Sequence, residues 1–196
     1  MLVTALLLSL SAPRTPYHFS ASFIECCSCK DVCVSEITGR DVGCHGFGAI
    51  RFKSGSFGGK SLAGTACAFA WDSGKWVRIY FDGPPSRRET AALFMRAVLK
   101  DWGTLESVHR AGVEISRASG GYVLKVDGGA TAELKMKPIF GADRKTPVCH
   151  TNLSSPLHSS LNQGETQTAT FSDMHPFNLE KTNGFFYMNC KMSGRL

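Results

Sequence analysis

No segment of this chain is both long enough and apolar enough to cross a bilayer as a helix, which takes roughly 20 apolar residues. The longest apolar run, Leu2 to Ala12 (LVTALLLSLSA), stops well short of that. Concentrated positive charge is also lacking, although the formal net charge is +6. Lys30, Arg40, Arg51, Lys53 and Lys60 stand among apolar and glycine residues, and the close pairs, such as Arg87-Arg88, Lys135/Lys137 and Arg144-Lys145, are scattered along the chain. A nucleic-acid surface gathers its cations on one stripe and interleaves aromatics with them. Neither feature is present, so the charge reads as solubility and no nucleic-acid partner is expected. Catalytic signatures are missing as well. There is no G-x-S-x-G elbow, and Gly59-Lys60-Ser61 imitates a phosphate loop only until its first glycine is sought, where Ser54 stands. Cys44 and His45 are no nucleophile–base pair, because neighbours on a strand face opposite sides. The sequence therefore shows no enzyme active site. No internal repeat or shift of composition marks a second domain, and no cysteine follows the apolar run in a lipid-anchor context.

What is present fits one ordinary domain. Hydrophobic residues make up 43% of the 196 positions, enough for a proper core. The run Leu2 to Ala12 ends in small residues before Pro13-Arg14. It reads as a signal peptide over residues 1–14, although no positive charge precedes it; a buried N-terminal strand is the alternative. The signal reading predicts a periplasmic or secreted protein without stable membrane insertion, whose mature part is a single β-rich domain over residues 15–196.

Strand patterns dominate that part. Tyr17 to Glu25 alternates apolar with small or polar residues, as a half-buried strand does. Gly46 to Phe52, Leu62 to Trp71 and Trp76 to Phe81 read as further strands, and so do segments starting at Gly112, Gly121 and Ala132. The period changes after Ser86: Ser86 with Glu89 is a capping-box pattern. Ala91, Phe94, Met95, Val98, Leu99 and Trp102 then recur at helical spacing. The expectation is an α+β fold, predominantly antiparallel β, with one amphipathic helix at about 86–102 packed on the sheet. Thr151 to Gln167 is polar and reads as an irregular surface loop, and short strands are expected over Ala169–Phe171 and Phe185–Asn189.

Eight cysteines are the chemical centre: Cys26, Cys27, Cys29, Cys33, Cys44, Cys67, Cys149 and Cys190. Residues two apart on an extended segment point to one side, so Cys27 and Cys29 can converge. Cys33 can return to them over a short turn, and Cys44 can close the set, with Cys26 or His45 as an accessory ligand. Three or four thiolates around one point select soft or borderline ions, here Cu(I) or Zn²⁺. Pairing through disulfides stays open, since Cys44, Cys67, Cys149 and Cys190 could serve as distant partners. Thiol redox chemistry is a third reading. Cys149-His150, Met174-His175 and Met188-x-Cys190-x-Met192 scatter further soft ligands, but without the tight order of a blue-copper loop.

The segment from Glu25 to Cys33, the following Gly43-Cys44, the glycine-punctuated strands and the helix after Asp82 resemble the bacterial family catalogued as domain of unknown function 1326. Its pattern C-x-C-x-x-x-C-x-C is met at Cys27, Cys29 and Cys33, while Ser35 replaces one cysteine; Cys44 corresponds to the cysteine of a later G-x-C, although here Gly43 directly precedes it and Val42 stands at the glycine position. Thr182-Asn183-Gly184-Phe185-Phe186 is similar to the family's closing segment. The resemblance brings no established activity. The combined expectation is an extracytoplasmic metal-binding protein that stores, senses or hands a metal ion to a partner protein, with a disulfide-stapled module or a thiol–disulfide redox protein as alternatives.

Overall fold

Aromatic and β-branched runs separated by glycine turns favour pleated structure, and strands follow one another along almost the whole chain. The computed structural model describes residues 14–30, 32–40, 42–118, 120–153 and 155–196. The leader expected over residues 1–14 therefore lies, Arg14 apart, outside the described residues.

In chain order the elements are β1 (Pro16–Cys27), α1 (Val34–Thr38), β2 (His45–Phe57), β3 (Lys60–Ser61), β4 (Ala66–Asp72), β5 (Trp76–Asp82), α2 (Pro85–Leu99), β6 (Thr104–Arg110), β7 (Val113–Ala118), β8 (Gly121–Val126), β9 (Ala132–Pro138), β10 (Cys149–Thr151), β11 (Ser160–Phe171), β12 (Phe177–Leu179) and β13 (Thr182–Arg195). They form a 13-stranded sheet whose main path runs β6-β5-β4-β2-β1-β13-β11-β9-β8-β7. The long central strands bend at bulges, where β1 slips register against β2 between Ser20 and Ala21 and against β13 between Ala21 and Phe23.

The sheet curls into a half-barrel, and its two halves bury one core between them. Ile24, Phe47, Ala68 and Tyr80 from the first half meet Leu124, Leu134, Phe171 and Phe186 from the second. On the other face Phe23, Phe52, Phe69, Trp71 and Ile79 pack under α2 and the segment around Leu157. Phe94 of α2 sits edge-on to Tyr17, Phe19, Phe52 and Phe57. It is fully buried, and truncating such a side chain costs about 3–5 kcal/mol.

The α+β expectation is corrected by this architecture. Strands hold 56% of the residues and only one substantial helix is present among the described residues, so the fold is mostly β. The second layer that local patterns assigned to a helix is largely supplied by the sheet itself, curled back on its own face. Helix α2 instead forms the crossover that β5 and β6 need, because they pair in parallel and cannot be joined by a hairpin. It starts at Pro85, a residue suited to the first helical position, so Ser86 lies inside the first turn and makes no capping bond.

Residues expected as a loop also join the sheet, since β11 begins at Ser160. Its polar residues are buried with partners: Thr166 Oγ1 donates to the Asn183 carbonyl at 3.0 Å, and Gln163 Nε2 donates to the Gly184 carbonyl at 3.3 Å and to Asn183 Oδ1. Polar strand residues escape the apolar pattern when the neighbouring strand satisfies them.

Candidate metal centre

Strand alternation decides which cysteines meet. At the end of β1, Cys26 turns into the core between the sheet halves and donates to the Phe47 carbonyl at 3.4 Å. Cys27 turns to the opposite face. Gly46 lies beside this strand end, and a Cβ there would collide with the Cys26 carbonyl, so glycine permits the close approach of β1 and β2. The loop that follows is tied down on both sides. Ser28 N donates to the His45 carbonyl at 2.8 Å, His45 N to Ser28 Oγ at 3.1 Å, and Asn183 N to the Cys29 carbonyl at 2.7 Å. Cys33 caps α1, which closes at Gly39 in the left-handed conformation. Cys44 precedes β2, its carbonyl held by Ser73 N at 2.9 Å.

Three ligand sulfurs converge as a result. Those of Cys27, Cys29 and Cys33 all lie within 4.8 Å of one another, with Cys29 and Cys33 at 3.8 Å. This cluster could hold a metal ion. A tetrahedral zinc site with bonds near 2.3 Å has a sulfur–sulfur edge of about 3.8 Å, so the separations suit such an ion. Cys44 stands beside the trio, near enough for Cys27 and Cys33 to act on its thiol, though it is not one of the three mutually close sulfurs. Cys26 and His45, the expected accessory ligands, are not brought to this point. Cys26 faces away, and His45 packs edge-on against Phe177 at 4.9 Å.

All eight cysteines are free thiols, so no disulfide framework staples the domain. The scattered C-terminal ligands do not assemble. Cys149 is exposed, His150 bonds Gln163 at 2.8 Å, and His175 bonds Glu106 at 3.0 Å.

The cluster's protons are unequally held. Hydrogen bonds from Cys27 and then Cys33 lower the Cys44 thiol, helped by Ser35 and Trp71 and opposed by burial. The Cys27 thiol is raised, first by its bonds to Cys33 and Cys44 and then by burial. For Cys33 the bond with Cys27 lowers the thiol, but Cys44 and burial outweigh it and the net shift is upward. One thiolate is thus stabilised by its neighbours and opposes ionisation of the rest; a bound cation removes that opposition, because metal binding releases thiol protons.

Sequence reasoning gave no role to Trp71, which lies against Cys44, and named Ser35, which also lies against Cys44, only as the residue in place of a cysteine. Glu25 is buried beside the same sulfurs, at 2% exposure. Burial, then Glu36 and Cys44, raises its carboxyl well above the ordinary range. Its signal was visible: a lone carboxylate in the apolar run Phe23-Ile24-Glu25-Cys26-Cys27.

The other face carries a second polar cluster. Arg78 donates to Asp173 Oδ2 at 2.8 Å and 3.1 Å, pairs with Glu106 at 3.4 Å and bonds His109 at 3.1 Å. Tyr80 donates to Asp173 Oδ2 at 2.6 Å, and His175, bonded to Glu106, stacks on Trp76 at 4.5 Å.

No family model and no curated protein matches the sequence. Among solved structures the chain is similar to an enduracididine biosynthesis enzyme, at 14% identity and a TM-score of 0.48, over 97% of this chain and 91% of that one. It is also similar to the acetoacetate decarboxylase of Legionella pneumophila, at 12% identity and 0.39, over 100% and 98%. A further acetoacetate decarboxylase structure aligns at 11% identity and 0.41, over 100% and 95%. At such scores the likeness carries neither a fold assignment nor any chemistry to this chain.

Proposed function

We propose that this chain is a soft-metal-binding protein that holds Zn²⁺ or Cu(I) through the thiolates of Cys27, Cys29, Cys33 and Cys44. The observation that carries the reading is the meeting of three sulfurs from a strand end, a loop and a helix cap within 4.8 Å. Cys44, whose thiol is lowered by Cys27 and Cys33, is the fourth ligand of this reading. Sulfur alone surrounds the ion in this arrangement, which favours soft or borderline metals over Mg²⁺ or Ca²⁺. Export, delivery of the ion to a partner protein and membership of the family catalogued as domain of unknown function 1326 belong to the same proposal. They are supported by the apolar run at Leu2 to Ala12 and by the Cys27-x-Cys29-x-x-x-Cys33 motif.

The test combines elemental analysis with thiol counting on protein purified under reducing conditions. With one equivalent of Zn²⁺, four of the eight thiols should become protected from alkylation, and Co²⁺ substitution should produce intense thiolate charge-transfer absorption. Equal reactivity of all eight thiols with and without metal would overturn the proposal.

A further inference from the structure

A cavity of about 280 Å³ opens directly beside the cysteine cluster, with Cys33 and Cys44 in its wall. Its lining has two kinds of residue. Glu25, Glu36 and Asp101 are acidic, whereas Trp71, Trp102 and Val98 are apolar. Among the described residues no lysine or arginine lines it. The decisive group is Glu25. Its side chain is buried, yet Oε2 has no hydrogen-bond partner among the described residues. Burying such an oxygen unpaired is unfavourable, and nearly all buried polar atoms in folded proteins find a partner. Glu36 is engaged with the buried His158, Nε2 to Oε1 at 2.9 Å, and so does not relieve Glu25.

A hydrogen-bond donor carrying positive charge would satisfy both the free oxygen and the acidic lining. A bare metal ion has no use for the rest of the cavity, which is far larger than one ion and walled by tryptophan. Trp71 and Trp102 stand edge to face at 5.2 Å, and indole faces attract organic cations. An apolar cavity of roughly 150 Å³ already admits benzene.

We propose that this cavity binds a small organic ammonium compound, with the ammonium group paired with the Glu25 carboxyl and the apolar body lying against Trp71, Trp102 and Val98. The cavity shares Cys33 and Cys44 with the thiolate cluster, but the amine proposal does not require a metal to be bound there.

Benzylamine, charged at neutral pH, is the probe, with benzyl alcohol and benzoate as neutral and anionic isosteres. Binding is followed by tryptophan fluorescence and calorimetry in both metal-free and zinc-loaded protein. A failure of metal binding thus leaves this result readable. Saturable one-to-one binding of benzylamine in either form, at least tenfold tighter than either isostere, is the expected result. Glu25→Gln should weaken it tenfold or more, with an unchanged far-ultraviolet dichroism spectrum as the check on folding. Asp101→Asn, at a solvent-exposed side chain, should weaken it a few-fold without disturbing the core. Absence of benzylamine binding in both forms would overturn the proposal, as would equal binding of benzyl alcohol, unchanged affinity in Glu25→Gln, or displacement of the amine by stoichiometric Mn²⁺.

Discussion

The two polar clusters lie on opposite faces of one sheet, and they differ in how far they are satisfied from within. Around Arg78 the protein supplies its own partners: a buried guanidinium meets two carboxylates and an imidazole, and Tyr80 adds a donor to Asp173. Around Cys27 it does not. Thiols face thiols, their contacts lower the Cys44 thiol and raise that of Cys27, and Glu25 keeps an oxygen with no donor among the described residues. A closed network of charges specifies structure. An open one, packed against a cavity, is a place where something else completes the bonding. The difference separates scaffold from site on physical grounds, although both clusters are buried and polar.

Substitutions can break or sharpen this contrast. The largest effect is expected at Arg78, whose side chain is 7% exposed. Arg78→Leu leaves Asp173 and Glu106 without their cation and should cost about 3–5 kcal/mol in urea unfolding. Metal stoichiometry should stay unchanged; loss of metal in this variant would show that the two faces are coupled.

Cys33→Ser should behave in the opposite way. Cys33 occupies the cap position of α1 without a side-chain capping bond, and serine is a better cap there. Stability should therefore hold, while zinc affinity in a chelator competition falls roughly 100-fold or more, beyond the usual effect of losing an outer partner. An unchanged affinity would remove Cys33 from the ligand set.

The smallest effect belongs to Tyr80→Phe, at about 2 kcal/mol for a hydrogen bond to a charged group. It carries a pH signature. Burial alone would raise the Asp173 carboxyl, but the Tyr80 hydroxyl, the Met174 amide and Arg78 hold it below its ordinary value of 3.8. A depressed carboxyl contributes stability that is present above the ordinary value and lost as pH falls through the lower folded one. Without the hydroxyl the folded value rises, so the acid-unfolding midpoint should move to higher pH. An unmoved midpoint would mean that Arg78 and the Met174 amide set the Asp173 charge without Tyr80.

Much of the sheet was legible in local patterns. The strands over Trp76–Asp82 and Gly121–Val126 stand close to where their β-formers place them, and the apolar positions of α2 are buried as their spacing implies. Other elements were hidden for identifiable reasons. Residues Thr104–Arg110 form an exposed edge strand, with no apolar face to announce it. Residues Ser160–Phe171 carry polar side chains that only the facing strand satisfies. At the candidate site, the convergence of Cys27, Cys29 and Cys33 followed from spacing. The exclusion of Cys26 and His45 followed from alternation too, but only once the face of Cys27 was known. The roles of Trp71 and Glu25 depend on chain segments far apart in sequence.

By itself, then, the amino-acid sequence determined the period of each strand, the helix face and the grouping of sulfur in one short stretch, because these depend on neighbours a few residues apart. The tertiary structure alone decided that the sheet curls onto its own face and that Trp71 and Trp102 wall a cavity beside the thiols. Those outcomes turn on register and curvature between distant strands, and no local pattern encodes them.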